Sequence, residues 1–557
     1  MPSMQLSRVR QIVSNSLERN LFENAAFWAD KAISLSNGAL QDVLSLAQAL
    51  FLDGNYRRAA HLIKSRGLIE SALACRYLVA KCHAKCKEWN AVIDVLDLPD
   101  TNLRVASSQS ESPFRNLAGF DSSTINVMSS ICLLRGTACQ AIENRQYAAK
   151  NYKEALQLDV FCHEAFSRLV SYHLLTMNEL KTLLASLPFE DQCVDKEEAE
   201  SLRLLYHNQL NEFCSPEDFE VPEGLANSLD VAVFQAQRDY NLWNQESAIA
   251  LTNRVLLADP YHTLCLPVHV ACLVALNRSN DLFLLAHKLI EDDPEKAFSW
   301  YAVGSYYLMT GKLELARRFL TKAIGIDSQL GLFWIALGHS FAQEGEHDQA
   351  IASYQVAVKH MPGCHFPLLY VGQEFIKIDL VLAEQFLSQA QVLSPDDPDV
   401  LHELGVLHHQ AGRYTRGRSY LLRALEKVKK IVGKLSGHWE PLLNNCGHSC
   451  RKLGMYEEAA QYHQEALKLI STNPNTHTSL GYAYSLMERH GEAVAAYHKA
   501  LGLRRNDTFA AQMLDKALEA VFKLEFAREK DDEKGKGGSD EDKDDDGNGD
   551  VADMSFD

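Results

Sequence analysis

One spacing constrains this chain more than any other property it has. Glycines at 304, 338, 372, 405, 447 and 481 succeed one another at intervals of 34, 34, 33, 42 and 34 residues. Alanines at 323, 357, 390, 424, 466 and 500 do so at 34, 33, 34, 42 and 34. Two columns of small residues that absorb the same insertion after Ala424 mark tandem structural units. Each unit is filled alike. With Ala297 as position 1, Trp300, Val303, Gly304, Tyr307, Gly311, Ala316, Leu320 and Ala323 occupy positions 4, 7, 8, 11, 15, 20, 24 and 27. The next 34 residues place Trp334, Leu337, Gly338, Phe341, Gly345, Ala350, Tyr354 and Ala357 at the same positions, and Pro362 follows as a breaker. Ala459 and Ala466 accompany Gly447, and Ala493 and Ala500 accompany Gly481.

Apolar residues three and four apart, a break near position 15 and a stop near 32 describe two helices joined by a tight turn. At 34 residues this is the tetratricopeptide unit, which cannot bury its apolar face alone and must stack on neighbours. The chain is therefore expected to be all-α, an α-solenoid superhelix of about 12–14 such helix-turn-helix repeats. Gly304 and Ala316 are expected to let the two helices of a unit approach, with Trp300, Tyr307 and Leu320 filling the gap to the next unit. Weaker units extend the array upstream, through Ala236 and Ala248, through Gly136, Ala148, Tyr152 and Ala155, and through Ala25, Ala47 and Ala59.

The remaining segments divide the chain. Residues 1–98 read as N-terminal repeats and 99–124 as a Ser-rich mobile loop with a Ser112-Pro113 step. Residues 125–177 read as middle repeats, 178–225 as a degenerate repeat and connection, and 226–525 as a C-terminal superhelix with a partner groove. Residues 526–557 read as a disordered acidic tail. Thirteen Asp or Glu against four Lys between 529 and 557 supply nine of the net 18 negative charges. The body is acidic as well, which excludes the basic footprint of a nucleic-acid binder.

The most apolar run, Cys265 to Leu276, is too short to span a bilayer and contains His269, and the first residues lack an apolar signal core. A soluble, intracellular chain without a membrane partner is expected. The thirteen cysteines are scattered. Cys82 with Cys86, and Cys446 with Cys450, have helical spacing but no second pair at finger-like distance, so core packing is expected and no metal. The repeat occupies the ordered sequence, and no Gly-rich phosphate loop, HExxH or nucleophile elbow interrupts it. No catalytic residue and no cofactor are expected.

In this repeat, positions 2, 5, 9 and 12 line the concave face. They include Phe298, Tyr301, Ser305 and Leu308, then Ile335 and His339, then Leu369 and Gln373, then His402 and His409. Asn444, His448 and Arg451 follow, and then Asn475, Thr478 and Tyr482. Such a mixture of aliphatic, aromatic and amide groups suits an amphipathic helix lying in a groove. It contains almost no Lys or Arg, against the carboxylate clamp of a chaperone adaptor, although a generic adaptor for chaperones or cargo remains the alternative.

Strings not dictated by the repeat carry a resemblance. FWADKAISLS (27–36), ACRYLVAKCH (74–83), DPYHTLCLPVHVACLVAL (259–276), SWYAVGSYYLMTGKLELARRFLTKA (299–323) and WEPLLNNCGHSCRKLGMYEEAAQYH (439–463) resemble the subunit-six family of the anaphase-promoting complex, the cell division cycle protein 16 homologues. The matching stretches run to about residue 520. The resemblance implies a non-catalytic scaffold in a cullin-RING-type ubiquitin ligase that drives mitotic progression and exit. It implies a homodimer through the N-terminal repeats, to which Phe22, Phe27, Trp28, Phe51 and Tyr56 would contribute. It implies a small helical accessory subunit, the cell division cycle protein 26 homologue, held in the C-terminal groove. Other tetratricopeptide subunits and a large platform subunit would stack on it, in nucleus and cytoplasm.

Overall fold

The computed structural model describes residues 5–70, 72–97, 126–210, 221, 224–432 and 435–536. The Ser-rich segment 99–124 with Ser112-Pro113, the prolines at 216 and 222, and residues 537–557 lie outside the described residues. Twenty-nine α-helices and no strand are present among those described, arranged as consecutive antiparallel pairs. No described helix is long and apolar enough to cross a membrane.

The pairs follow the repeat frame. Ala297–Met309 is followed by Leu313–Ile326, Gly331–Glu344 by His347–His360, Glu440–Lys452 by Tyr456–Leu469, and Pro474–Leu486 by His490–Leu503. The alanines of the second helices, Ala316, Ala323, Ala350, Ala357, Ala459, Ala466, Ala493 and Ala500, are completely buried. The glycine column has a different neighbour from the one expected. A Cβ on Gly304 would lie 2.6 Å from Leu320 Cγ, on Gly338 2.3 Å from Tyr354 Cε1, and on Gly481 2.8 Å from Tyr497 Cε1. The glycine thus makes room for the large residue at position 24 of its own unit. Leu320, Tyr354 and Tyr497 are fully buried inside their own units. They seal the pair from within, which leaves the gap between units to other side chains. Trp300 also packs within its own unit: its ring stacks on Phe319, and its Nε1 donates to Pro294 O at 2.7 Å.

Irregular spacings have local causes. The 33-residue step lies in the turn between Phe366–Ile376 and Leu380–Leu393, where the Asp379 carboxylate caps the second helix by accepting from the Val381 and Leu382 amides. The insertion after Ala424 prolongs the helix Tyr414–Val432 to 19 residues, against 14 in Leu313–Ile326, and adds a 3₁₀ turn that buries Trp439. At most turns one residue takes the left-handed conformation. It is Gly at 54, 311, 345, 412 and 454, and Lys87, Glu143, Trp243, Asn277 or Glu488 elsewhere.

The described residues fall into two compact units, 1–403 with 430–432, and 404–429 with 433–557. Within the first, residues 178–210 form Met177–Ser186, Phe189–Gln192 and Lys196–Asn208, and pack closely on the middle repeats. Tyr206 stacks on Phe166 at 4.5 Å and donates to Val160 O at 2.6 Å. Also within this unit, two distant stretches of chain are bonded. The Gly363 amide donates to His173 O at 2.8 Å, and Arg145 donates to Lys359 O and His360 Nδ1. Within the second unit, the helix Thr508–Lys536 carries helical backbone into the segment 526–557 that composition assigns to the tail. The helix formers Ala527 to Lys530 precede the Gly-rich run, so helix propagates until glycine makes it costly.

Candidate partner-binding surface

The first helix of each unit presents positions 2, 5, 9 and 12 on one face, because four-residue steps nearly complete a turn. In the first unit this face is already largely occupied by its own aromatics. Tyr301 meets Phe333 at 5.3 Å, and Phe298 meets Phe333 edge-on at the same distance. Tyr301, Ile335 and Leu369 are 7, 7 and 3% exposed, so these three fill places in the solenoid and are not open surface. Leu308, His339, Gln373 and His402 are half-buried and border the face.

Polar groups on that face are satisfied from within. His339 Nδ1 pairs with Tyr354 Oη at 2.8 Å, and its ring sits edge-on to Tyr370 at 4.6 Å. Burial pushes this imidazole down to about 4, so it is neutral at physiological pH. Burial likewise pushes Tyr240 up to about 12 and raises Tyr370. The buried Glu374 carboxylate is bonded to His347 Nδ1 at 2.5 Å and accepts from Lys377 at 3.1 Å, and the His402 imidazole lies 3.3 Å from Glu403. A neutral, aromatic, hydrogen-bonded lining can hold an apolar helix face and select its polar register.

In the second unit His409, Asn444, His448 and Tyr482 are all half-buried, and the structure brings them together with Arg451. One participant escapes the concave pattern. His463 stands at position 24 of a second helix, a position that reads as core. Its Nδ1 donates to Asn444 Oδ1 at 2.7 Å and its ring lies 5.2 Å from that of His448. The signal for it was present in the column itself: Leu320, Tyr354, Leu387, Leu421 and Tyr497 hold that place elsewhere, so a histidine there is the departure. Gly447 accommodates it as the other glycines accommodate tyrosine or leucine.

The cysteines behave as small apolar residues. Burial pushes Cys82, Cys265, Cys272, Cys364 and Cys446 up to about 12, and a thiol held protonated is a poor nucleophile and ligand. Among the described residues no group of three or more His, Cys, Asp or Glu is placed to hold a metal ion. At the N-terminal end, Phe27 is 55% exposed and packs edge-on against Trp28, while Phe22, Phe51 and Tyr56 are half-buried.

Comparison with known proteins matches this architecture closely. Residues 18–98 fit the family model "Anaphase-promoting complex, cyclosome, subunit 3", and 275–516 fit that of the cilia and flagella-associated protein 70 C-terminal domain. The human cell division cycle protein 16 homolog is 46% identical over 93% of this chain and 84% of its own length. The chain belongs to the anaphase-promoting complex subunit 6 family. The Arabidopsis thaliana subunit 6 is 35% identical over 92% of this chain and 96% of its own length. The solved APC/C hetero-tetramer Cut9–Hcn1 superposes with a TM-score of 0.75 at 32% identity, covering 93% of this chain and 97% of that one. As a subunit 6 family member the chain is a tetratricopeptide subunit of the anaphase-promoting complex, a cell-division assembly, and its relatives point to a structural role.

Proposed function

We propose that the chain is a non-catalytic scaffold of the anaphase-promoting complex, a cullin-RING-type ubiquitin ligase acting in mitotic progression and exit. In this reading it pairs with a second copy through its N-terminal repeats. It holds a small helical accessory subunit, the cell division cycle protein 26 homologue, against the concave face of its C-terminal repeats. The sibling tetratricopeptide subunits and the large platform subunit stack on it, in nucleus and cytoplasm. The observation that carries the reading is the likeness over nearly the whole chain to Cut9, which was solved together with Hcn1 as a hetero-tetramer. The half-buried aromatic, imidazole and amide lining supports it, because it offers apolar anchors and register-setting groups to a helix.

Affinity purification from dividing cells followed by mass spectrometry tests the proposal. Cullin-like, RING and sibling tetratricopeptide subunits with a small helical protein are expected in the eluate. Chaperones or transport cargo without them would overturn the assignment in favour of a generic adaptor. Light scattering of the purified chain at micromolar concentration is expected to report twice the monomer mass, and a monomer there would sink the pairing.

A further inference from the structure

The second unit contains a cation with no acceptor among the described residues. Arg451, on the helix Glu440–Lys452, lies with its guanidinium carbon 4.8 Å from the centre of the Tyr482 ring, and that ring is braced edge-on by Phe509 at 6.0 Å. Held over an aromatic face, a guanidinium can keep N–H donors free for a further acceptor. Among the described residues no carboxylate, carbonyl or hydroxyl takes those donors. Most arginines and lysines that contact side chains elsewhere in this acidic chain do have such partners: Arg10 with Asp42, Arg135 with Asp97, Arg418 with Glu458.

The surroundings of Arg451 are equally one-sided. Three imidazoles feel its charge, those of His409, His448 and His463. Burial comes first in holding His448 near 4 and His463 near 3, and Arg451 adds to it. No carboxylate opposes it at any of the three, and Lys452 acts on His409 in the same sense as Arg451. Two of the imidazoles are fixed. His463 Nδ1 is tied to Asn444, and His409 Nδ1 to Ser449 Oγ at 3.2 Å. The Nδ1 of His448 and the Nε2 of His463 are both shielded from solvent and have no hydrogen-bond partner among the described residues. A guanidinium edge without an acceptor, in surroundings where no carboxylate faces it, is open to an anion from outside the chain.

We infer that Arg451, held over Tyr482, binds a carboxylate side chain, Asp or Glu, of the helical partner that lies on this face. The inference rests on the reading of the face as a partner site, and adds the one charged contact that would set the partner's register. The guanidinium fork matches a carboxylate bidentately. The charge count selects a carboxylate over a phosphate. One cation balances one carboxylate, whereas a phosphoryl group with close to two negative charges would leave a surplus in a partly desolvated site.

The test uses the full chain copurified with the small accessory subunit of its own complex. Arg451→Lys keeps the charge and introduces an amine at this position, and a zero-length carbodiimide then joins that amine to a carboxylate in contact with it. Peptide mass spectrometry is expected to find position 451 linked to one Asp or Glu of the accessory subunit. In parallel, Arg451→Gln is expected to weaken the wild-type complex by on the order of 10–100-fold, with Lys452→Gln within twofold. Thermal melting of each variant alone separates a contact from a folding defect: unchanged melting with lost affinity supports the inference. A complex that forms normally with Arg451→Gln and gives no link at 451 overturns it while leaving the partner reading intact. So does a complex that phosphatase treatment disrupts, since the bound anion would then be a phosphate. Failure of the wild-type chain to bind any accessory subunit overturns the partner reading itself.

Discussion

Replacing Gly363 by alanine should open a contact that joins stretches of chain almost two hundred residues apart. An alanine Cβ there would lie 2.0 Å from the carbonyl oxygen of Leu175 and 2.4 Å from its carbonyl carbon. Carbon and oxygen approach only to about 3.3 Å, so the two backbones must part by about 1.3 Å. Both colliding atoms belong to main chain, so no side chain can rotate away. A retreat of that size takes the 2.8 Å bond from the Gly363 amide to His173 O out of hydrogen-bond range. The lost bond costs about 1 kcal/mol and the displaced packing about 1–3 kcal/mol, together about 2–4 kcal/mol. Hydrogen exchange resolved by peptide should show this as faster exchange in 169–176 and 361–366, with peptides from the first repeats and from 480–500 unchanged. Gly325→Ala is the control, because a Cβ there meets nothing within 4 Å, and it should stabilise its helix by about 0.5–1 kcal/mol. Unaltered exchange at 169–176 in the Gly363 variant, with unfolding within about 0.5 kcal/mol of wild type, would refute the reasoning.

Further outcomes follow from the same structure. Gly338→Ala places a Cβ 2.3 Å from the Tyr354 ring and should cost about 1–3 kcal/mol in denaturant unfolding while leaving helix content unchanged. Burial holds His173, His269, His339, His360 and His448 near 4 and His463 near 3 in the folded chain. An unfolded imidazole titrates at about 6.5, so the unfolded chain binds more protons below that value. This part of the stability is complete above pH about 6.5 and is lost as pH falls toward 4; a melting temperature that is level or rising from pH 7.5 to 5 would contradict it. His463→Tyr puts at position 24 the residue that Gly338 and Gly481 already accommodate, and should leave the chain folded with a shallower acid slope in the same melts. Native alkylation at pH 7 with peptide mass spectrometry should modify Cys86, Cys162 and Cys193 among the described cysteines before any of the buried ones.

The repeat was legible because small residues have few other reasons to recur at 34-residue steps. The count even placed the insertion after Ala424. What the count did not tell was which partner each glycine admits. Gly304 and Leu320 are as compatible in sequence with an interhelical gap as with packing inside one pair, and only the side-chain directions decide. On the concave face the pattern named the residues without telling which were free: Tyr301, Ile335 and Leu369 satisfy the positions but are consumed by neighbouring aromatics. The bonds from Arg145 and Gly363 were invisible for a deeper reason. They join stretches that are not neighbours in the repeat order, and a periodic pattern reports only neighbours. His463 escapes a positional reading because position 24 is a core position whatever chemistry stands there.

The turns between paired helices have a consequence for how such a chain can vary. Gly54, Gly311 and Gly454 occupy the same bend as Lys87, Glu143, Trp243 and Glu488, although a residue with a Cβ costs about 1–2 kcal/mol in the left-handed conformation. The helices on either side therefore impose the bend, and the residue at its tip merely conforms. The tips are mounting points on the helix pairs whose chemistry is open to change. Within the first unit Lys87, Glu143 and Trp243 put a basic, an acidic and an aromatic side chain at such tips. New contacts could be acquired there singly, without renegotiating the core.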